Sequence, residues 1–234
     1  MNETLDRERI RSNFDRTMQR LRRAAEQSDR DPDSITLVSV SKYVDAQQTR
    51  LLVDAGAMDL GEARPQQLWA KSADECLAQC DHRWHLIGHL QRNKIRRTLP
   101  LLHLLHSVDS ARLLESVNEM CSTLDLRVAG LLQVNISGDS AKHGFNPQEL
   151  IDTTQQLVAS APNVEITGLM AMAGWGTDPD QAGRQFASVA KLRDQIQDAT
   201  GLPLPNLSMG MTSDFEQAIA HGATHVRVGS ALWQ

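Results

Sequence analysis

Lys42 closes a run of apolar and β-favouring residues, Ile35-Thr36-Leu37-Val38-Ser39-Val40-Ser41, and is the first candidate for chemistry in the chain. A lysine at a strand end is usually a solvated cap. Held at the mouth of a pocket, apolar walls would disfavour its charged form, lower its pKa and suit it to Schiff-base chemistry. Two segments near the other end of the chain suit an anion. In LSMGMTSDFEQAI (207–219), Ser208, Gly210, Thr212 and Ser213 lie where a strand meets the start of a helix. In HVRVGSALW (225–233), Gly229 and Ser230 follow a strand. Backbone N–H groups and the positive end of a helix dipole favour an anion at such junctions. Either segment alone is ordinary loop chemistry; together with Lys42 they read as one phosphate site. Arg227 shares a strand face with His225 and Gly229 on the period of two, and inside a barrel it would need an acceptor, either a carboxylate or a ring nitrogen.

The elements that must position these residues alternate. Strand-like runs fall at 35–41, 58–60, 84–88, 102–106, 127–135, 164–170, 206–209 and 224–228. Helical patterns lie between most of them, at 45–55, 64–79, 91–99, 110–123, 147–160, 179–199 and 212–221. Gly56 reads as a helix C′ residue, and Asn146-Pro147 as an N-cap with proline behind it. Alternating βα units imply a parallel sheet with right-handed crossovers. Eight of them, with no GxGxxG turn after the first strand, predict an α/β fold of the (β/α)8 TIM-barrel type, with chemistry at the strands' C-terminal ends. The first 28 residues form an additional amphipathic N-terminal helix, with Leu5, Ile10, Phe14, Met18 and Leu21 at helical spacing. Packed on the barrel, it would take the place of an outer helix missing after the last strand. The chain is expected to be one domain over 1–234, with 1–29 as the packed helix.

With 234 residues, the chain is long enough for a sizeable core. Its 41% hydrophobic and 23% charged residues are ordinary for a soluble protein, and a net charge of −5 argues against a nucleic-acid or acidic-membrane binder. No apolar run suits a membrane span, and the charged N-terminus lacks a secretory signal core. Cys76, Cys80 and Cys121 are few and odd in number, which suggests reduced thiols and a cytoplasmic location.

Other clusters read as structural. Cys76, Cys80, His82, His85 and His89 crowd together without finger spacing, so no metal site is expected. His103 and His106 do not fit one strand face. Asp214 and Glu216 complement a helix dipole. QRNKIRR (91–97) reads as a solvated helix start, with guidance of an anion to the mouth as the alternative. Lys142-His143 falls in a loop after strand five, at the mouth, where it could offer a second, transient phosphate position.

Read together, VSVSK (38–42), GEARPQQ (61–67), WHLIGHLQRNK (84–94), HSVDS (106–110), QVNISGDSAKHG (133–144), GLMAM (168–172), LSMGMTSDFEQAI and VRVGSAL (226–232) resemble the pyridoxal phosphate homeostasis protein family, over roughly residues 5 to 234. That family is similar to the N-terminal barrel of alanine racemase. The resemblance implies that Lys42 forms a Schiff base with pyridoxal 5′-phosphate (PLP). It implies that Ser208, Gly210, Met211, Gly229 and Ser230 surround the phosphate and that Arg227 faces the pyridine nitrogen. His85 and Met170 would lie near the ring or the mouth. Ala63, where the family usually has asparagine, and His89, where it usually has proline, are departures, as is the absence of glycine after Trp233.

The reading that follows is a PLP carrier in intracellular PLP homeostasis without substantial turnover. The alternatives are a PLP-dependent amino-acid racemase and a cofactor-free Schiff-base lyase. A racemase of this kind needs a second base opposite the lysine, and the one tyrosine, Tyr43, should point away from Lys42 on the strand alternation. A cation at the pyridine nitrogen weakens the ring as an electron sink. The paired Ser/Gly loops count against the lyase. The expected partners are PLP and apo PLP-dependent enzymes, with no nucleic acid and no membrane. A monomer is expected, with a dimer as the alternative.

Overall fold

Short strands that are apolar on both faces can be buried only between helices outside and a filled interior, and this chain closes them into a ring. The computed structural model describes residues 3–136, 143–174 and 176–234. Its parallel strands are β1 (Thr36–Val40), β2 (Asp59–Glu62), β3 (Arg83–Leu86), β4 (Leu102–Val108), β5 (Val128–Val134), β6 (Val164–Ala171), β7 (Asn206–Met211) and β8 (His225–Val228). They form a closed barrel in chain order, sealed by β1 against β8 with Thr36 opposite His225 and Val38 opposite Arg227. The (β/α)8 barrel read from the sequence is the fold.

Helices α1 (Glu3–Glu26), α2 (Ala46–Asp54), α3 (Pro65–Ser72), α4 (Glu75–Ala78), α5 (Ile95–Thr98), α6 (Ala111–Leu124), α7 (Pro147–Ser160), α8 (Pro179–Thr200), α9 (Phe215–Ala220) and α10 (Ser230–Trp233) lie outside. Leu37, Leu60, Leu86, Leu105, Leu132, Leu169, Leu207 and Val226 point outward into one core with the helices. Inside the barrel, Leu104, Leu131 and Met170 form a small separate apolar cluster.

The elements differ from the sequence expectation where local chemistry intervenes. The helix expected over 64–79 splits, because the Asp74 carboxylate accepts the Cys76 N–H and starts α4 as a new turn. The one expected over 91–99 is α helix only at Ile95–Thr98, between 3-10 turns, the second of which contains Pro100. Asn146 does cap α7, ahead of Pro147, and Gly56 has a positive φ of 110°. A short α10 follows β8, and α1 covers it and α9. Asn13 Nδ2 donates to the Leu232 and Gln234 carbonyls (3.2 and 2.7 Å), Arg20 pairs with Glu216 at 2.6 Å, and Arg30 donates to the Ile219 and Ala223 carbonyls. The N-terminal helix therefore fills the expected gap. Among the described residues, no helix is long and apolar enough to cross a membrane.

The rim is stiff at the end of β3. A Cβ on Gly88 would stand 2.2 Å from the Ala63 carbonyl oxygen, and the Ser107 hydroxyl donates to the Gly88 carbonyl at 2.7 Å. Three strand ends thus meet at a position that only glycine fits. Gly88→Ala should lower stability by roughly 2 kcal/mol or more, read as a lower urea midpoint with an unchanged slope. An unaltered midpoint would show that the rim can spread.

Candidate functional site

Strands β7, β8 and β1 are neighbours, so their C-terminal ends share one side of the barrel mouth. Lys42 lies two residues beyond β1, half-buried, in the turn before α2. Trp233 Nε1 donates to the Val40 carbonyl at 2.9 Å and fixes the segment after β8 against the end of β1. Gly229, its N–H donated to Thr212 Oγ1 at 3.2 Å, links the loops after β7 and β8. Gly210 has φ of 89°, and a Cβ there would stand 2.6 Å from Ala218 Cβ. Met211 is partly exposed, and its N–H donates to Asp214 Oδ1 at 2.6 Å, so Asp214, at the start of α9, also holds the turn before it. Glu216 is taken by Arg20. The hydroxyls of Ser213 and Ser230 are exposed and have no partner among the described residues.

The alternation argument for Tyr43 fails here. Lys42 and Tyr43 sit past the strand, where the period of two no longer applies, and Lys42 Nζ lies 4.9 Å from the centre of the Tyr43 ring. Tyr43 is 79% exposed.

Three expected cofactor neighbours lie deeper than the mouth. Ser208, His85 and Met170 are all closed off inside the barrel. Met170 belongs to the apolar cluster with Leu104 and Leu131. Ser208 and His85 belong to a buried polar column. Arg227 Nη1–H donates to Ser208 Oγ at 2.6 Å, which leaves the Ser208 proton for His106 Nδ1 at 2.8 Å. His106 then carries its proton on Nε2 and donates to His85 Nδ1 at 2.9 Å. His85 in turn donates from Nε2 to Asp59 Oδ1 at 2.8 Å, and Arg83 donates to Asp59 Oδ2 at 2.6 Å. One direction of donation satisfies every group with both imidazoles neutral.

The electrostatics agree. Burial keeps His106 far below the usual histidine range and takes His225 down to about 4. Burial would raise Asp59, but the hydrogen bonds from His85 and Arg83 and the Arg83 charge outweigh it and hold the carboxylate below its usual range. Burial brings Arg227 to about 10. Its other bond runs from Nη2 to the Ala171 carbonyl at 2.9 Å, and among the described residues no carboxylate pairs with it.

A second buried group supports Lys42 from outside the barrel. Lys71 Nζ donates to Glu62 Oε2 at 2.7 Å, to the Ser41 carbonyl at 2.6 Å and to Ser41 Oγ at 3.3 Å. Both side chains are almost fully buried. The pair pins the residue before Lys42. The sequence signal was present: Lys71 shares the buried stripe of α3 with Pro65 and Leu68.

The crowded Cys/His group does not converge. Cys80 Sγ and His82 make local bonds, and His85 is inside the barrel. Burial pushes the Cys76 thiol up to about 11, so it is no ready thiolate. Lys94 and Arg97 of the basic stretch stand over the Trp69 ring, at 5.7 and 4.6 Å. Lys142 lies outside the described residues.

Comparison with known proteins follows this geometry. Residues 5–234 match the alanine racemase N-terminal domain model. The chain is 37% identical to the pyridoxal phosphate homeostasis protein of Pseudomonas aeruginosa, over 96% of this chain and 94% of that one. It is 34% identical to the protein of that name in Aquifex aeolicus, over 93% and 94%. Among solved structures, PipY of Synechococcus elongatus with PLP bound superposes with a TM-score of 0.81 at 35% identity, over 92% of this chain and 100% of that one.

The column carries a pH dependence. A histidine kept neutral in the fold binds a proton first in the unfolded chain, so stability falls as pH drops from the usual histidine value of about 6.5 toward the folded value. For His225 that window ends at about 4, and the loss across it is on the order of 3 kcal/mol. Urea midpoints measured across this window should fall, and fall less steeply in His225→Gln. Parallel curves would place the acid sensitivity elsewhere.

Proposed function

The chain belongs to the alanine racemase N-terminal domain family and, within it, to the pyridoxal phosphate homeostasis proteins, and on that footing we propose that it binds PLP covalently through the Lys42 amine and carries it without substantial turnover. The observation that carries the reading is the state of Arg227: a buried guanidinium hydrogen-bonded to a hydroxyl and a carbonyl, with N–H groups left over and, among the described residues, no carboxylate bonded to it, Asp214 acting on it through its charge alone. An unprotonated ring nitrogen is the acceptor such a group lacks. On the same rim, Lys42 supplies an amine and Ser230 a free hydroxyl beside Gly229, just past β8. Gly210, Met211, Gly229 and Ser230 would surround the phosphate; Ser208 would hold Arg227 from below. These residues fit the aldehyde, ring nitrogen and phosphate of one molecule.

Bound there, the cofactor supplies a carbonyl carbon for amines and a ring able to accept electrons. The protein limits the second property. Arg227 is bonded to neutral oxygens and keeps its own proton, so it does not protonate the ring nitrogen. Tyr43 stands against Lys42 itself, whereas a two-base racemase needs its second base on the far side of the ring. Both features favour holding and release, in the cytoplasm and to apo PLP-dependent enzymes, over a racemase reading.

Purified protein given PLP and then borohydride should carry a covalent label on Lys42, found by peptide mass, and Lys42→Ala should lose it. A label on another lysine would overturn the assignment.

The carrier reading has its own measurement. The PLP-loaded protein is incubated with L-alanine in deuterated water, and α-deuterium and enantiomer composition are followed over hours. Less than one exchange per protein is expected. Many exchanges per protein, abolished in Lys42→Ala, would make it an enzyme.

A further inference from the structure

Across the mouth from β8 and β1, three side chains converge that the PLP reading does not use. His89 follows β3, Asp109 follows β4 directly, and His143 stands on the return of the loop after β5. We propose that His89, Asp109 and His143 form a binding site for one divalent transition-metal ion of the zinc class.

Asp109 is the anchor. Its side chain is only 5% exposed. Its Oδ1 accepts the Ser110 hydroxyl proton at 3.1 Å, which turns Oδ2 toward both imidazoles. His89 Nδ1 lies 2.7 Å from Oδ2 and His143 Nδ1 lies 3.9 Å from it, and the three ligand atoms all fall within 4.8 Å of one another. His143 is held in place through its backbone: Gln133 Nε2 donates to its carbonyl at 3.0 Å, and Phe145 is bonded to Gln133 and Asn135.

A simple His89–Asp109 hydrogen bond leaves half of this unexplained. At 3.9 Å the second imidazole is past hydrogen-bond reach, yet it stacks on His89 at 4.8 Å and 18°, with its Nδ1 turned to the same oxygen. A dication among the three gives the buried Asp109 carboxylate a counter-charge that both imidazoles can share in holding. Two imidazoles and one carboxylate suit zinc and its neighbours more than calcium or magnesium. Metal bonds of about 2.0–2.2 Å set donor separations near about 3.4 Å. His143, 69% exposed, can close that gap. Three protein ligands leave a coordination position open. The adjoining cavity of about 270 Å³ is also lined by Arg92 and Arg112, so an anionic ligand could complete the shell.

The test titrates the full chain with Zn2+ by calorimetry and with Co2+ by visible spectroscopy. One ion per chain is expected, with a Co2+ spectrum of nitrogen and oxygen ligands and no thiolate charge transfer. His89→Ala and His143→Ala should each weaken binding tenfold or more, and the metal-induced rise in melting temperature should vanish in both. Both residues are on the surface, so these variants should fold. Affinity should fall in acid as protons compete for the imidazoles. The site is overturned by the absence of saturable binding, by binding that survives both histidine variants, or by binding lost in Cys76→Ser or Cys80→Ser.

Discussion

A guanidinium shut inside a closed barrel, hydrogen-bonded to no carboxylate among the described residues and reached only by the charge of Asp214, is the constraint that shapes this interior. Arg227 is 4% exposed and bonded to neutral oxygens. Barrel interiors are usually filled by branched aliphatic side chains. Here β2, β3, β4, β7 and β8 give up part of that filling to Asp59, His85, His106, Ser208, His225 and Arg227, while Leu104, Leu131 and Met170 keep the other side apolar. Buried polar groups persist only when their partners are met. The column meets them by passing donation in one direction from Arg227 to Asp59. Arg227 is thereby oriented without being neutralised, the state in which it can still offer hydrogen bonds upward.

Lys42 is controlled differently. Its end of β1 is gripped from outside, by the Lys71–Glu62 pair on the Ser41 carbonyl, and from the side, by Trp233 on the Val40 carbonyl. A buried ion pair is weak evidence for stability, because desolvation offsets most of its attraction. Its use here is positional: an ammonium that bonds a carboxylate, a carbonyl and a hydroxyl at once fixes where the chain turns. The side chain of Lys42 itself is left half-exposed beyond that fixed point. A fixed base and a half-exposed amine suit the covalent attachment proposed for Lys42.

The fold was legible because its signals are redundant: eight apolar runs, helices between them, and caps such as Asn146. The places of Lys42, Gly229 and Ser230 just past β1 and β8 were legible because the apolar runs stop there. Depth was not. The period of two says which face a side chain takes, not which layer, so it could not show that Ser208, His85 and Met170 are closed off inside the barrel. Register shifts defeat even the face. Between Trp84 and His85 the pairing of β3 with β4 slips, and both His103 and His106 reach the His85 ring although they are three residues apart. Tyr43 failed for a related reason, since alternation was carried beyond the end of the strand. Lys71 and Glu62 went unread because each alone looks like a surface charge, and only their meeting makes them structural.

The mouth therefore has two unlike sides, and the difference follows from what lies beneath each. Under β7 and β8 stands the Arg227 end of the polar column, a cation that favours electron-rich ligands above it. Under β4, β5 and β6 stands the apolar cluster, which offers no bonds to the rim. Polar side chains at the ends of β3, β4 and β5 must then satisfy one another, and they do so through a buried carboxylate shared by two imidazoles. A ligand spanning the mouth would meet donors on one side and, on the other, a carboxylate that lacks a fixed cation. The division of the interior into a polar and an apolar half is thus carried up to the surface, where it sets which charge each side can receive.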